Sequence, residues 1–231
     1  MTPSELLHNY SRGDRQFTQI DLKDLELVDL DLSYADFSQA DFRQARLGKS
    51  QFVQAKFCGA NLSEALLWGT NLIEADLSEA ILRDSDFSGA KLDRARLTHS
   101  YGIKASFCGA SLREANLANS LLCWADFRPT FEHPTNLEGA RLSQADLSYA
   151  NLSQTLLYGA NLEGANLARA NLSLGRKLRG IQTDLRRANL RNADLSYADL
   201  TGAMLQGADL TGADLTGTIL TDAELEEIVR D

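Results

Sequence analysis

The sequence predicts an all-β solenoid, a chain wound into stacked coils that turns a corner every fifth residue. Three observations lead there. From Phe17 to Leu172, thirty of the thirty-two positions spaced five apart carry Leu or Phe, the exceptions being Gly102 and Glu132. A second register runs from Leu185 to Leu225, and all nine of its positions are Leu. Two residues before nearly all of them stands a small residue, as at Ala35, Ala40, Ala45, Ser50, Ala193 and Ala198. A period of five fits neither the 3.6 of a helix nor the 2 of a strand, so neither element would keep these residues on one face. A corner at every fifth position does, with Leu inward from each side and the small residue inward at the corner. Each coil then contacts only its neighbours.

Each element follows from this unit. Between small residue and Leu lies most often Asp or Asn, as in Ala193-Asp194-Leu195 and Ala160-Asn161-Leu162. These polar residues point outward and are expected to supply surface charge and corner hydrogen bonds. The ends need covers, because an open solenoid exposes edges and core. At the start, Thr2-Pro3-Ser4-Glu5 fits a capping box with Pro at the first helical position, and Leu6, Leu7 and Tyr10 share a helical face. A cap over 1–13, with a helix over 3–11, is expected. At the other end Thr221-Asp222-Ala223-Glu224, followed by Leu225, Ile228 and Val229, predicts a second helical cap over 222–231.

The A-(D/N)-L-x-x run, over residues 15 to 225, resembles the pentapeptide-repeat proteins. That resemblance implies a right-handed quadrilateral β-helix: four sides to a coil, one repeat unit to a side, and roughly ten coils over 14–221. Counting sides from Phe17, Leu22 opens the second, Leu27 the third and Leu32 the fourth. Burying one Leu or Phe contributes roughly 1.5–3 kcal/mol, so the core needs no disulfide or metal.

Three breaks interrupt the register. Tyr101-Gly102-Ile103 omits one core Leu, and Ile103 is expected to fill the gap. Residues 128–135 (Arg-Pro-Thr-Phe-Glu-His-Pro-Thr) hold two of the three Pro and form a loop that either spans two sides or bulges from one. Residues 173–184 form a second loop, since the step from Leu172 to Leu185 is no multiple of five. Loops thrown out of a regular scaffold are where function concentrates.

Composition narrows the function classes. The net charge of −9, from 23 basic and 32 acidic residues, argues against direct nucleic-acid binding, which needs clustered Lys and Arg. No apolar stretch is long enough to span a membrane, and the N-terminus shows no secretory pattern. Cys58, Cys108 and Cys123 fall on three different sides, so neither a disulfide nor a metal site is expected, and reduced thiols suit a cytoplasmic protein. His8, His99 and His133 pair with no nucleophile. Gly48-Lys49-Ser50 matches the tail of a phosphate-binding loop, but it lies within a repeat with no helix following. No enzyme activity and no cofactor are expected.

Surface recognition remains. Ile81, Tyr101 and Leu121 lie one coil apart on the outward face of the second side, with Ile103 and Trp124 beside them. Exposed apolar patches mark interfaces, unless Phe131 folds back over this one. Leu66 and Trp68 form a second outward pair, and Leu156 and Tyr158 a third. Arg128, Phe131 and His133 in the first loop, and Arg176, Lys177 and Arg179 in the second, complete the candidate partner-binding set. The basic second loop precedes an acidic tail, a pattern that suits a polar protein partner.

The family resemblance adds two functional expectations. Arg46-Leu47-Gly48-Lys49-Ser50, Leu67-Trp68-Gly69, Ala125-Asp126-Phe127-Arg128-Pro129 and the late Gly-Ala-Asp-Leu-Thr-Gly run resemble a family member that regulates heterocyst differentiation in cyanobacteria. This implies a regulator that relieves inhibition by protein–protein contact. Other members are acidic rods that occupy DNA gyrase in place of duplex, which the net charge allows. Those act as dimers joined at open C-terminal coils; a capped C-terminus predicts a monomer.

Overall fold

The computed structural model describes residues 1–175 and 181–230, and the chain winds as a four-sided β-helix. Every Leu and Phe of the register from Phe17 to Leu210 is buried, Leu210 keeping 5% of its surface, and the Ala residues two places earlier are buried with them. Parallel bridges join residues one coil apart, such as Asp21 to Asp41 and Asn61 to Ile81. Each side contributes one bridged residue between turns, so among the described residues the pairing consists of isolated bridges and no continuous strand.

The corners show why a unit of five closes. In most turns the core residue's carbonyl accepts the N–H of the residue three places on, as from Ala40 to Phe37 at 3.0 Å. The second residue after the core position takes the left-handed backbone, for example φ 60° at Gln39 and 63° at Trp124. That is the signature of a type II turn. The Asp or Asn before the core residue accepts the N–H two places on, as Asp36 Oδ1 does from Ser38 at 3.0 Å and Asp194 Oδ1 from Ser196 at 2.8 Å. The unit therefore needs a small inward residue, a short polar side chain, Leu and a φ-tolerant residue two places after it. Aromatic core residues stack along the third side, Phe87 on Phe107 at 5.2 Å and Phe107 on Phe127 at 5.0 Å.

Helix α1 spans Pro3–Ser11 and has the full capping box, with Thr2 Oγ1 accepting from Glu5 N and Glu5 accepting from Thr2 N. It covers the first coil by burying Leu6, and the Tyr10 hydroxyl donates to Ser33 O at 3.0 Å.

Two expectations are corrected, and the open choice for the 128–135 loop is resolved as a bulge. Residues 222–230 are not helical: the repeat continues, with Glu224 bridged to Met204 and Val229 to Asp209. Ala223-Glu224-Leu225 reads as one more repeat unit, and Asp222 and Glu227 at φ 57° sit in turn positions that a right-handed helix excludes. Leu215, Leu220 and Leu225 are only half-buried, so the monomer argument that rested on a helical cover falls with it. Ile103 does not fill the gap at Gly102. It faces outward and is half-buried, while Leu122 from the next coil reaches in, 2.8 Å from where a Cβ on Gly102 would stand. The 128–135 loop spans no extra side. Ser111 pairs with Asn136, one unit further along the chain than the regular coil would place its partner. The loop therefore bulges from one corner, and Glu132 is exposed.

Candidate functional site: the cleft between two insertions

Both insertions leave the rod at the same corner, where the third side meets the fourth. The first departs after Phe127 and returns before Leu137. The second departs after Leu172 and returns before Leu185, so that Leu156 pairs with Asp184 across it. One intact coil, carrying Ser153 and Gln154, runs between them.

A buried threonine closes each insertion, in the position elsewhere held by Ala. Thr135 Oγ1 accepts from Gly109 N at 2.8 Å and donates to Arg128 O at 2.9 Å. Thr183 Oγ1 accepts from Gln154 N at 2.8 Å and donates to Ser173 O at 3.1 Å. Each hydroxyl ties the loop's first carbonyl to the coil beneath, so the insertions stand on rigid feet. Sequence reasoning missed this pair; the signal was Thr in the small-residue slot at the end of both breaks.

Between the insertions lies a cleft of about 600 Å³ on the third side. Cys108, Ser153, Gln154 and Asn171 line its floor, Arg128 to Phe131 one wall, Gly175 and Ile181 the other. Gln154 is buried, and its Nε2 donates to Ile181 O at 3.1 Å. Arg128 forks onto Asp126, with Nε–Oδ1 at 3.0 Å and Nη2–Oδ2 at 2.7 Å. Burial pushes the Asp126 carboxyl up, but the bonds from Arg128 outweigh it and hold Asp126 below its ordinary value. Burial pushes the Cys108 thiol up, which keeps it protonated and a poor nucleophile.

Across the third side from the cleft runs a ladder of turn residues. Trp124 stacks flat on Tyr149 with ring centres 4.4 Å apart. The Arg169 guanidinium lies 6.0 Å from the Tyr149 ring and 4.9 Å from that of Tyr197. Trp124, Tyr149 and Tyr197 are exposed, and the Arg169 side chain reaches the surface between them. The ladder was hidden in the sequence because the insertions displace its members from the regular coil spacing.

The predicted residues fall into two groups. Ile81, Tyr101 and Leu121 form one bridged, exposed column on the second side, Ile103 is half-buried beside it, and Trp124 stands at the far edge of the same side. Phe131 does not fold back over them; it is 80% exposed and lines the cleft with Arg128. His133 is exposed in the first loop, where its carbonyl accepts from Thr130 N at 2.9 Å, and it faces a shallow depression beside Lys91 rather than the cleft. Arg176, Lys177 and Arg179 lie outside the described residues. Leu66 and Trp68 are on the third side, and Leu156 and Tyr158 on the fourth.

Among the described residues no cluster of His, Cys, Asp and Glu could hold a metal ion, and no helix is long and apolar enough to cross a membrane. What the described surface offers is a shaped, hydrogen-bonding groove with an aromatic border.

Comparison with known proteins follows the same lines. The family description Pentapeptide repeats matches in eight copies, over residues 16–48, 26–63, 50–89, 60–98, 90–128, 135–173 and 183–222. Among curated proteins none matches. Among solved structures the chain is similar to HetL, a pentapeptide repeat protein involved in heterocyst differentiation regulation from the cyanobacterium Nostoc sp. strain PCC 7120. Identity is 50% over 99% of this chain and 96% of HetL, with a TM-score of 0.98. A second pentapeptide repeat protein from Nostoc PCC 7120, alr5209, is 32% identical over 43% of this chain and 80% of its own, with a TM-score of 0.41. QnrB1, a plasmid-mediated fluoroquinolone resistance protein, is 20% identical over 94% of this chain and 93% of its own, with a TM-score of 0.35. With its repeats matched over most of their length and its coils superimposing on those of HetL, the chain belongs to the pentapeptide-repeat family and has a HetL-like, right-handed β-helix fold.

Proposed function

We propose that this protein is a non-enzymatic cytoplasmic regulator of heterocyst differentiation that acts by binding another protein. The observation that carries this reading is the likeness to HetL, which extends over 99% of the chain at 50% identity and takes in both insertions. The surface chemistry supports it. The cleft holds no paired nucleophile and base, whereas exposed Trp124, Tyr149 and Tyr197 with Arg169 and Arg128 are the residue types enriched in protein interfaces.

The test is expression in Nostoc sp. strain PCC 7120 lacking HetL, with heterocysts counted along filaments and protein level checked by immunoblot. A restored heterocyst pattern is expected. An unchanged pattern at matched protein level overturns the reading. Inhibition of gyrase supercoiling by the purified protein would redirect it to the DNA-mimic class.

A further inference from the structure

We propose that the third side between the two insertions docks a short, extended, acidic segment of the partner protein; this deepens the regulatory reading and rests on it. The groove has one border in the insertions and the other in the ladder of Trp124, Tyr149, Arg169 and Tyr197. The outward column is mixed in the coils before the groove, where Arg46, Leu66, Asp86 and Ser106 follow one another, and carries the neutral amides Asn151 and Asn171 inside it before Asp199. Asp126, at the groove's edge, is paired with Arg128.

The remaining groups are donors. Asn151 Oδ1 accepts Ser153 N and Oγ at 3.2 and 2.8 Å, and Asn171 Oδ1 accepts Ser173 N and Oγ at 3.1 and 2.7 Å. With both oxygens engaged in their own turns, the two amide Nδ2 groups are left to donate into the groove. No carboxylate among the described residues lies within ion-pair distance of Arg169, which is held between two tyrosine rings. A chain of net charge −9 has thus gathered donors and cations along one short face. Carboxylates suit it twice over, through these donors and through the positive edges of the stacked rings.

A nucleic acid suits it less. Trp124 and Tyr149 each turn one face to the other and Arg169 packs between Tyr149 and Tyr197, which leaves fewer ring faces open to bases. Asp199 in the same column and Asp194 and Asp214 on the neighbouring side repel any anion, so they limit the acidic segment to the stretch before them. Three coils at about 4.8 Å each leave room for roughly three or four extended residues.

The experiment uses the full chain and three fluorescein-labelled probes: hexaglutamate, hexalysine and a thymidine hexanucleotide. Fluorescence anisotropy at low salt should show hexaglutamate binding best. Arg169→Gln, alone and with Arg128→Gln, should weaken it about tenfold or more, while Arg141→Gln on the first side, with the same charge change, should leave it within about twofold. Arg169 reaches the surface and pairs with no acid among the described residues, so its variant reports even where loss of Arg128 unsettles Asp126. Tighter binding of the oligonucleotide or hexalysine, no hexaglutamate binding, or equal losses in Arg141→Gln would each overturn the groove assignment. The heterocyst assay reads the function separately, so either conclusion can fail while the other stands.

Discussion

The indole of Trp68 lies across the bare backbone of Gly48 one coil below, in the space that a side chain at Gly48 would need. A Cβ there would stand 2.5 Å from Trp68 Cε2 and 2.7 Å from Cζ2. The Lys49 ammonium lies 5.3 Å from the same ring. Gly48-Lys49-Ser50, which in sequence resembles a phosphate-loop tail, is thus a seat for a tryptophan.

Gly48→Ala should therefore cost about 1–3 kcal/mol through overpacking. The cost should vanish in a background carrying Trp68→Ala, because Gly48 lacks the left-handed backbone that would penalise Ala by itself. Urea unfolding of the two single variants and the double variant measures the coupling. An equal loss with and without Trp68 would refute the seating.

The sequence showed the core and concealed the surface, and the reasons are physical. The period of five is strictly local, since one Leu and one Ala per side suffice to define inward and outward. Gly102 and Glu132 both broke the register, yet only Gly102 holds a core slot, because length alone cannot distinguish a missing side chain from a bulge. The helical reading of 222–231 failed because Thr221-Asp222-Ala223-Glu224-Leu225 satisfies both a capping box and a repeat unit, and stacking on Met204 and Asp209 decides between them. The ladder of Trp124, Tyr149, Arg169 and Tyr197 could be read only after each insertion had been assigned to one corner.

Replacing Thr183 by Val keeps the shape and removes the hydroxyl that accepts from Gln154 N. That removes a hydrogen bond to a buried N–H, at a cost of about 1–3 kcal/mol. Thr135→Val removes only one of the two acceptors of Gly109 N, which keeps Arg128 O at 3.0 Å, so it should cost less. Hydrogen exchange checks both: the Gln154 amide should lose protection in the first variant, and the Gly109 amide, which keeps the Arg128 carbonyl, should lose less in the second. Unchanged protection at Gln154 would mean that the Thr183 hydroxyl does not anchor its insertion.

Asp126 gives the first insertion an acid-sensitive foot. Burial works against the carboxylate, but the Arg128 bonds prevail and its folded-state value lies below the ordinary one. A depressed carboxyl contributes stability that is fully present above its unfolded value of about 3.9 and is lost as pH falls through the lower folded value. Stability should therefore be flat from neutral pH to about 5 at this site and fall below about 4. Arg128→Gln should raise the Asp126 titration, read by carboxyl NMR, and lessen its contribution to the fall. A titration unmoved by the substitution would show that the fork does not hold in solution.

The same change made at two places along the core tests the open C-terminal coil. Leu117 is fully buried in mid-rod, so Leu117→Asp places a charge where neither water nor a cation can reach it, at roughly 4 kcal/mol or more. Leu215 occupies the equivalent register position but is half-buried, because no coil of the described chain covers it fully. An aspartate there can turn to water, so Leu215→Asp should cost no more than about half as much. Melting temperatures of the two variants at several protein concentrations give the comparison. A loss at Leu215 as large as at Leu117, and growing on dilution, would mean that a second copy covers this end in solution.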